Sequence, residues 1–125
     1  MKEYEFQEID GEWDYRVFPD DLEDDPNIFF HGTSASNFKS IVEEGFKTGP
    51  SLSSISFSKS SPLALKYACD GRKDADPEGC IFAVRYPELN VQRIVVDHSM
   101  LHDFRSVKDI EIVGYCIVPS TYRYI

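Results

Sequence analysis

Short segments rich in aromatic and β-branched residues, each bounded by turn-forming residues, recur along this 125-residue chain. Segments of this length favour strands, because a helix needs a longer apolar periodicity. The pair Asp10-Gly11, between the first two segments, suits a tight hairpin turn because glycine tolerates positive φ. The predicted strands cover residues 4–9, 13–18, 28–30, 55–58, 81–86, 93–96 and 110–118, with 122–125 as a further candidate.

Two other segments have the apolar spacing of helices. The first extends from Phe38 to Val42, with serines before it as N-caps and Gly45 after it as a stop signal. The second begins at Ser61-Pro62, where an N-cap is followed by proline at the first helical position, and ends near Cys69. We therefore predict one α+β domain over residues 1–125, with two short helices on a twisted, mostly antiparallel sheet.

The net charge of −9 is confined to the N-terminal segment. Residues 1–26 hold eleven acidic and two basic residues, whereas residues 27–125 hold eleven of each. This divides the domain into an acidic N-terminal hairpin and connector (1–26) and a neutral body (27–125). Because the chain lacks a basic stripe for a phosphate backbone, nucleic acid is a disfavoured partner. The acidic segment either keeps the protein in solution or contacts a basic partner or the edge of a site.

Neither a membrane span nor a secretory signal is predicted. No apolar run approaches the ~20 residues that a span needs, and the N-terminus lacks a basic region followed by an apolar one. We therefore expect a cytoplasmic protein without membrane contact, or one delivered into a host cytoplasm without such a signal.

The cysteines and histidines do not form a metal-binding pattern. Cys69, Cys80 and Cys116 are odd in number and widely spaced, which fits neither a disulfide framework nor a zinc site, and Cys80 and Cys116 lie in apolar segments typical of core thiols. His98 and His102 lie four residues apart, but no third ligand accompanies them. The sequence therefore predicts no metal.

Three short motifs carry side chains suited to chemistry. His31-Gly32-Thr33 follows the predicted strand at 28–30 and precedes a helix. The strand at 55–58, Ile-Ser-Phe-Ser, precedes the helix that carries Tyr67. Asp109 and Glu111 open the last long strand.

In order and spacing, these motifs resemble the ADP-ribosyltransferase superfamily, on the branch that holds diphtheria toxin and the poly(ADP-ribose) polymerases. That branch opens its site with His-Gly-Thr or His-Gly-Ser and a helix ending in glycine, as residues 31–45 do here. Its second motif has a strand tyrosine and an aromatic residue eleven positions later, which is the spacing of Ser56 and Tyr67. Its third motif is a glutamate at the start of a late strand, which Glu111 matches. The resemblance covers residues 28–118 and implies a small, split-sheet ADP-ribosyltransferase-like fold.

The resemblance implies NAD as co-substrate, with no metal, and assigns its contacts. His31 bonds a ribose hydroxyl, the backbone of Gly32 binds the nicotinamide carboxamide with Thr33 beside it, and Tyr67 stacks on the nicotinamide ring. Glu111 is the central catalytic residue, because a carboxylate there stabilises positive charge on the ribose as nicotinamide leaves.

One position departs from that branch, because Ser56 stands where a tyrosine is usual. A serine there is similar to the arginine-directed branch, which also has two acids flanking one residue, as Asp109 and Glu111 do. Ser56 is thus a candidate catalytic and NAD-binding residue, and Phe57 a candidate wall of the nicotinamide slot. The superfamily has its substrate-recognition loop before the glutamate, so the candidates for contacting an acceptor are Phe104, Arg105 and Asp109.

The function implied is that of a toxin-like or effector-like NAD-dependent mono-ADP-ribosyltransferase, with a protein as the expected acceptor. An NAD glycohydrolase uses the same site with water as acceptor, and the sequence does not separate the two. A non-catalytic module that binds NAD, ADP-ribose or a protein is a third alternative, favoured by Ser56 and opposed by His31 and Glu111. A related RNA 2′-phosphotransferase is disfavoured, because no arginine cluster accompanies His31.

Overall fold

A computed structural model of the chain describes residues 1–7, 16–48, 54–72, 77–97, 99–108 and 110–123. The strands in these ranges are β1 (Lys2–Tyr4), β2 (Ile28–Ser34), β3 (Ile55–Ser58), β4 (Gly79–Arg85), β5 (Ile94–Val96), β6 (Met100–Asp103) and β7 (Glu111–Val118). The α-helices there are α1 (Asp20–Glu23), α2 (Phe38–Glu44) and α3 (Ser61–Asp70). None of the helices in these ranges is long and apolar enough to cross a membrane.

The strands form one sheet in the order β1-β7-β4-β2-β3-β6-β5, antiparallel except for the β1–β7 pair. The predicted α+β class and mostly antiparallel sheet are therefore confirmed. Two helices were predicted and the described residues contain three, since a short helix, α1, forms in the acidic connector. Strand β6 was also not predicted, because residues 97–108 read as a loop.

The N-terminal hairpin predicted from sequence lies partly outside the described residues. Those outside are 8–15, which include the Asp10-Gly11 turn. Strand β1 pairs in parallel with β7, with Lys2 opposite Gly114, and residues 16–18 belong to no strand. Of the candidate strand at 122–125, residues 122 and 123 are not in a strand, and 124–125 lie outside the described ranges.

The sheet divides between β2 and β3. Strand β2 pairs with β4 along seven residues, but its ladder with β3 consists of the single pair Phe30 and Ser58. Strands β3, β6 and β5 then continue as a separate group with a regular ladder between β3 and β6. Because β2 and β3 are paired at only one position, an opening lies between the two strands. The residues next to this opening form the candidate functional site.

Buried residues alternate along β2 between two hydrophobic clusters, as the two-residue period of a strand requires. Ile28 and Phe30 belong to the cluster that α3 covers, whereas Phe29 faces the cluster that contains Phe57 and Phe82. Cys80 and Cys116 are fully buried, and burial raises the pKa of each thiol to about 12, so both are the core thiols that the sequence predicted.

A buried carboxylate fixes β6 in place. Asp103 is fully buried, accepts a hydrogen bond from the Tyr86 hydroxyl at 2.9 Å and lies 3.4 Å from Arg93 Nε. Burial and the adjacent carboxylate raise the pKa of Tyr86, so its hydroxyl remains a donor. A buried charge persists only where partners compensate its desolvation, and these two partners hold the end of β6 against the body of the domain.

Helix α3 packs unusually close to β2 at Gly32. A Cβ atom on Gly32 would lie 1.9 Å from the Ala64 carbonyl oxygen and 2.8 Å from the Ala68 nitrogen. Both are backbone atoms of a helix, so they cannot move aside as a flexible side chain does. Glycine is therefore required at this position by the helix, whatever else its backbone does.

Replacing Gly32 with alanine should destabilise the fold by about 3 kcal/mol, the upper end of the usual cost of overpacking, because the clash is with backbone and displaces α3 as a whole. Urea unfolding followed by circular dichroism measures the change. Gly71→Ala is the matched control: its nearest neighbour would lie 3.2 Å away, and we expect a change within about 1 kcal/mol. Equal stability of Gly32→Ala and wild type would contradict this packing argument.

Candidate functional site between strands β2 and β3

His31 lies on β2 with its ring half-buried against Phe46 and Phe57, at centroid distances of 5.1 and 5.4 Å. Its Nδ1 lies 2.9 Å from the Ser56 carbonyl oxygen on β3. A carbonyl oxygen only accepts, so Nδ1 carries the hydrogen. Burial lowers the pKa of His31, partly opposed by the bond to Ser56, and the ring is therefore neutral. Nε2 then has a free lone pair that can accept a hydrogen bond.

The backbone of Gly32 points toward the opening. The Asn27 carbonyl accepts a hydrogen bond from Tyr86 N, so the odd-numbered residues of this stretch direct their backbone N–H and C=O toward β4. The Ile28 carbonyl accepts from Lys59 Nζ at 2.8 Å, so even-numbered peptide groups face the β3 side. Because the ladder with β3 has ended before Gly32, its N–H and C=O are directed into the opening.

Ser56 presents an exposed hydroxyl on the face of β3 opposite to Phe57. Its Oγ lies 2.9 Å from Nδ1 of His102, its cross-strand partner on β6. The other ring nitrogen of His102, Nε2, lies 3.8 Å from Asp97 Oδ2. This row of side chains was not predicted from the sequence, because residues 97–108 were interpreted as a loop. The alternation of buried Leu101 and Asp103 with half-buried His102 is the strand signal that could have revealed it.

Tyr67 lies on α3, the helix that packs on Gly32, and Thr33 follows Gly32 on β2. Tyr67 is 44% exposed on α3, immediately before Ala68, which packs on Gly32. Its ring is therefore not part of the core. The Thr33 hydroxyl accepts a hydrogen bond from Asn37 Nδ2 at 2.9 Å, which ties the end of β2 to the turn before α2.

Phe57 does not line the opening, contrary to the predicted contact with a nicotinamide ring. It is fully buried, with Phe46 and Tyr86 at ring distances of 5.1 and 5.5 Å. Adjacent side chains of a strand face opposite sides of the sheet, so Phe57 packs with the His31 ring on one face and the Ser56 hydroxyl lies on the other. The exposed face of β3 belongs to Ser56.

Glu111 is not brought together with His31 and Ser56. It begins β7, two strands from β2 on the side away from β3, and its side chain is 64% exposed. From strand spacing and rise, its Cα lies roughly 14 Å from that of His31. Its partner is Arg85, whose Nε lies 3.6 Å from Glu111 Oε1 and whose guanidinium also binds Asp25 at 2.8 Å.

The predicted acceptor contacts follow β6. Phe104 is 50% exposed and Arg105 is also exposed, directly after the buried Asp103. Asp109 and His98 lie outside the described residues, so the proposed part of Asp109 in acceptor recognition stays a prediction. Within the described ranges, no group of three or more His, Cys, Asp or Glu side chains could hold a metal ion.

Two surface cavities lie elsewhere. One is bordered by Tyr4, Phe6 and Pro119 near the β1–β7 edge, and the other by Lys59 and Pro62 near the start of α3. Neither contains His31, Gly32 or Ser56, and both are lined by several charged side chains. The opening between β2 and β3 differs from both cavities because the backbone of Gly32 and the imidazole of His31 lie next to each other there.

Neither a protein-family model nor a curated protein sequence matches this chain.

His31 should make the protein less stable in mild acid. Its folded pKa is below the unfolded value of about 6.5, so the unfolded state binds more protons and stability falls as pH drops below that value. His31→Asn keeps an N–H for the Ser56 carbonyl but cannot titrate. The unfolding free energy measured between pH 7 and 5 should therefore fall more steeply in wild type than in His31→Asn.

Glu23 also makes the stability of the protein depend on pH, and it does so equally in wild type and in His31→Asn. Burial raises its pKa, so its contribution has the opposite sign and is present in both proteins. Identical pH slopes for wild type and His31→Asn would show that His31 is not held neutral by burial.

Proposed function

We propose that this chain is a small ADP-ribosyltransferase-type domain that binds NAD in the opening between β2 and β3 and transfers one ADP-ribose to a protein. The observation that carries the proposal is the juxtaposition of two neighbouring groups. In the part of the chain that the structure describes, a neutral imidazole whose Nε2 has no hydrogen-bond partner stands next to a glycine whose N–H and C=O both face the opening.

This pair matches the hydrogen-bonding groups of NAD. A carboxamide has one acceptor and two donors, so it can bond both the N–H and the C=O of Gly32. A ribose hydroxyl can donate to Nε2 of His31. The exposed ring of Tyr67, on the helix that packs on Gly32, supplies a surface on which a flat pyridinium can stack. The strand order also supports the resemblance, since it places the His31 and Ser56 strands side by side.

The position of Glu111 favours a second candidate, a module that binds NAD or ADP-ribose without turnover. Departure of nicotinamide leaves positive charge on the ribose, and a fixed negative charge stabilises it only from close by. Glu111 lies two strands from His31 and is paired with Arg85. Hydrolysis of NAD with water as acceptor is the variant of the first candidate in which no macromolecule is modified.

NAD should stabilise the purified protein by about 2.7 kcal/mol at a hundredfold excess over its dissociation constant. Tyr67→Ala should weaken NAD binding by about 0.5–1.5 kcal/mol, because one stacking partner is lost, with little change in fold stability. Thermal unfolding and calorimetric titration measure both. Val42→Ala, an exposed apolar position on α2, is the control that should bind like wild type. Absence of any NAD effect in wild type would remove the proposal.

Glu111→Gln tests whether the charge that stabilises the departing nicotinamide comes from Glu111 or whether the reaction takes place beside Ser56. If the reaction takes place beside Ser56, as the strand order favours, nicotinamide release should stay within about threefold of wild type, since a charge roughly 14 Å away is screened. A loss of about 10²–10³-fold with unchanged NAD binding would instead assign the charge-stabilising part to Glu111, as the sequence predicted.

A further inference from the structure

A row of three polar side chains extends from the opening across β3 and β6 to the β5–β6 turn. Ser56 Oγ and His102 Nδ1 are 2.9 Å apart, and His102 Nε2 and Asp97 Oδ2 are 3.8 Å apart. The His102 side chain is 29% exposed and that of Asp97 57%. A hydroxyl, an imidazole and a carboxylate in this order form the arrangement in which a base acts on a hydroxyl and a third group orients the base.

The carboxylate selects the tautomer of His102. Asp97 Oδ2 lies 3.8 Å from Nε2, beyond hydrogen-bond distance, and its negative charge favours the tautomer of a neutral ring with the hydrogen on Nε2. Nδ1 then has its lone pair toward Ser56, and the Ser56 hydroxyl donates to it. Asp97 is itself held by the turn, since its Oδ1 accepts from Met100 N at 3.3 Å and its N–H donates to the Met100 carbonyl.

We propose that His102, acting through Ser56, is the base that activates a hydroxyl acceptor for ADP-ribosyl transfer. The inference rests on the proposed function and names its acceptor class. The acceptor hydroxyl bonds to Ser56 Oγ and its oxygen attacks C1′ of the nicotinamide ribose. The bond from C1′ to the pyridinium nitrogen breaks, and its electron pair leaves with neutral nicotinamide. The acceptor proton passes to Ser56 Oγ, and the Ser56 proton passes to His102 Nδ1 and then to solvent.

The chemistry of the row favours a hydroxyl over a guanidinium as acceptor. A guanidinium stays charged in proteins and binds best to a carboxylate in a bidentate pair. In the part of the chain that the structure describes, the side chain bonded to Ser56 is an imidazole, and Asp97 lies behind it. An alcohol, by contrast, needs the base that this row supplies. The hydroxyl can come from a serine or threonine of a protein, or from water.

The test compares small acceptors in wild type and variants with NAD labelled in the adenine ring. Methanol reports an alcohol acceptor as methyl ADP-ribose, water reports as free ADP-ribose, and agmatine reports a guanidinium. We expect methyl ADP-ribose to form and the agmatine adduct to be absent. His102→Asn keeps a polar group at the Nδ1 position for Ser56 but removes the base, so kcat with methanol should fall about 10²-fold with the NAD dissociation constant within twofold.

Two further variants separate a base from a structural residue. Added imidazole should restore part of the rate of His102→Ala and none of the rate of Ser56→Ala, because only the first lacks a base while keeping the hydroxyl. Val96→Thr is the control on the same hairpin, since Val96 is 49% exposed and pairs with Leu101 on the strand that carries His102. It should release nicotinamide like wild type.

The outcomes distinguish the two proposals. A wild type that does not bind NAD overturns both. Normal turnover in a folded His102→Asn protein, or an agmatine adduct in preference to methyl ADP-ribose, overturns only the assignment of His102 and the hydroxyl class. NAD binding without any turnover in wild type also overturns that assignment and leaves the binding module. A serine- or threonine-linked product on added casein shows that a protein supplies the hydroxyl.

Discussion

The contact between the backbone of α3 and Gly32 sets the geometry of the rest of the domain. With no side chain between them, the helix lies directly on β2, and Ala64, Leu65 and Ala68 are buried there. A helix fixed over β2 also reaches the end of β3, where Ser58 is buried, but it leaves Ser56 on the same face exposed. The close packing of α3 on β2 is therefore sufficient to require glycine in the His-Gly-Thr motif, before any contact with a ligand is considered. The direction of its peptide group into the opening is a consequence of where β2 parts from β3.

His31 explains how the two strands can part without leaving Ser56 unsatisfied. Its Nδ1–H takes the Ser56 carbonyl that a continued ladder would have paired with backbone, so one side chain replaces one ladder bond. The ring can do this only in its neutral form if Nε2 is to remain an acceptor, and burial against Phe46 and Phe57 provides that form. The same side chain thus spaces the strands and offers a hydrogen-bond acceptor.

The strands and helices of the body were largely predictable, because each has its own local signal. The helix from Ser61 to Asp70 begins at the predicted Ser-Pro pair, and the apolar segment around Ile81 is a buried strand. The relative positions of strands had no local signal. Glu111 was grouped with Ser56 by its place in the sequence, yet strand order separates them by two intervening strands. The order of strands in a sheet is a tertiary property, and short sequence motifs do not predict it.

The alternation of buried and exposed residues along a strand predicts the face of one site residue but not the strand that carries another. Ile55 and Phe57 are both apolar, so a period of two already places Ser56 on the other face, and the prediction for Phe57 ignored this. His102 was different, because its strand is only four residues long and is held by the buried Asp103. A short strand fixed by a buried charge looks polar in sequence. Its identification requires the partner that neutralises the charge, which lies elsewhere in the chain.

The distribution of charge is compatible with the proposed binding of NAD at the opening despite the net charge of −9. In the described part of the chain, three of the eleven acidic residues of the N-terminal segment pair with arginines: Asp20 and Asp24 with Arg16, and Asp25 with Arg85. The groups that border the opening, a neutral imidazole, a glycine backbone and a serine hydroxyl, carry no fixed negative charge. Repulsion of a pyrophosphate therefore comes from acids beyond direct contact, where salt screens it within about 8–10 Å. Such long-range repulsion acts mainly on the rate of association, while contacts at the opening would determine how long the proposed ligand remains bound.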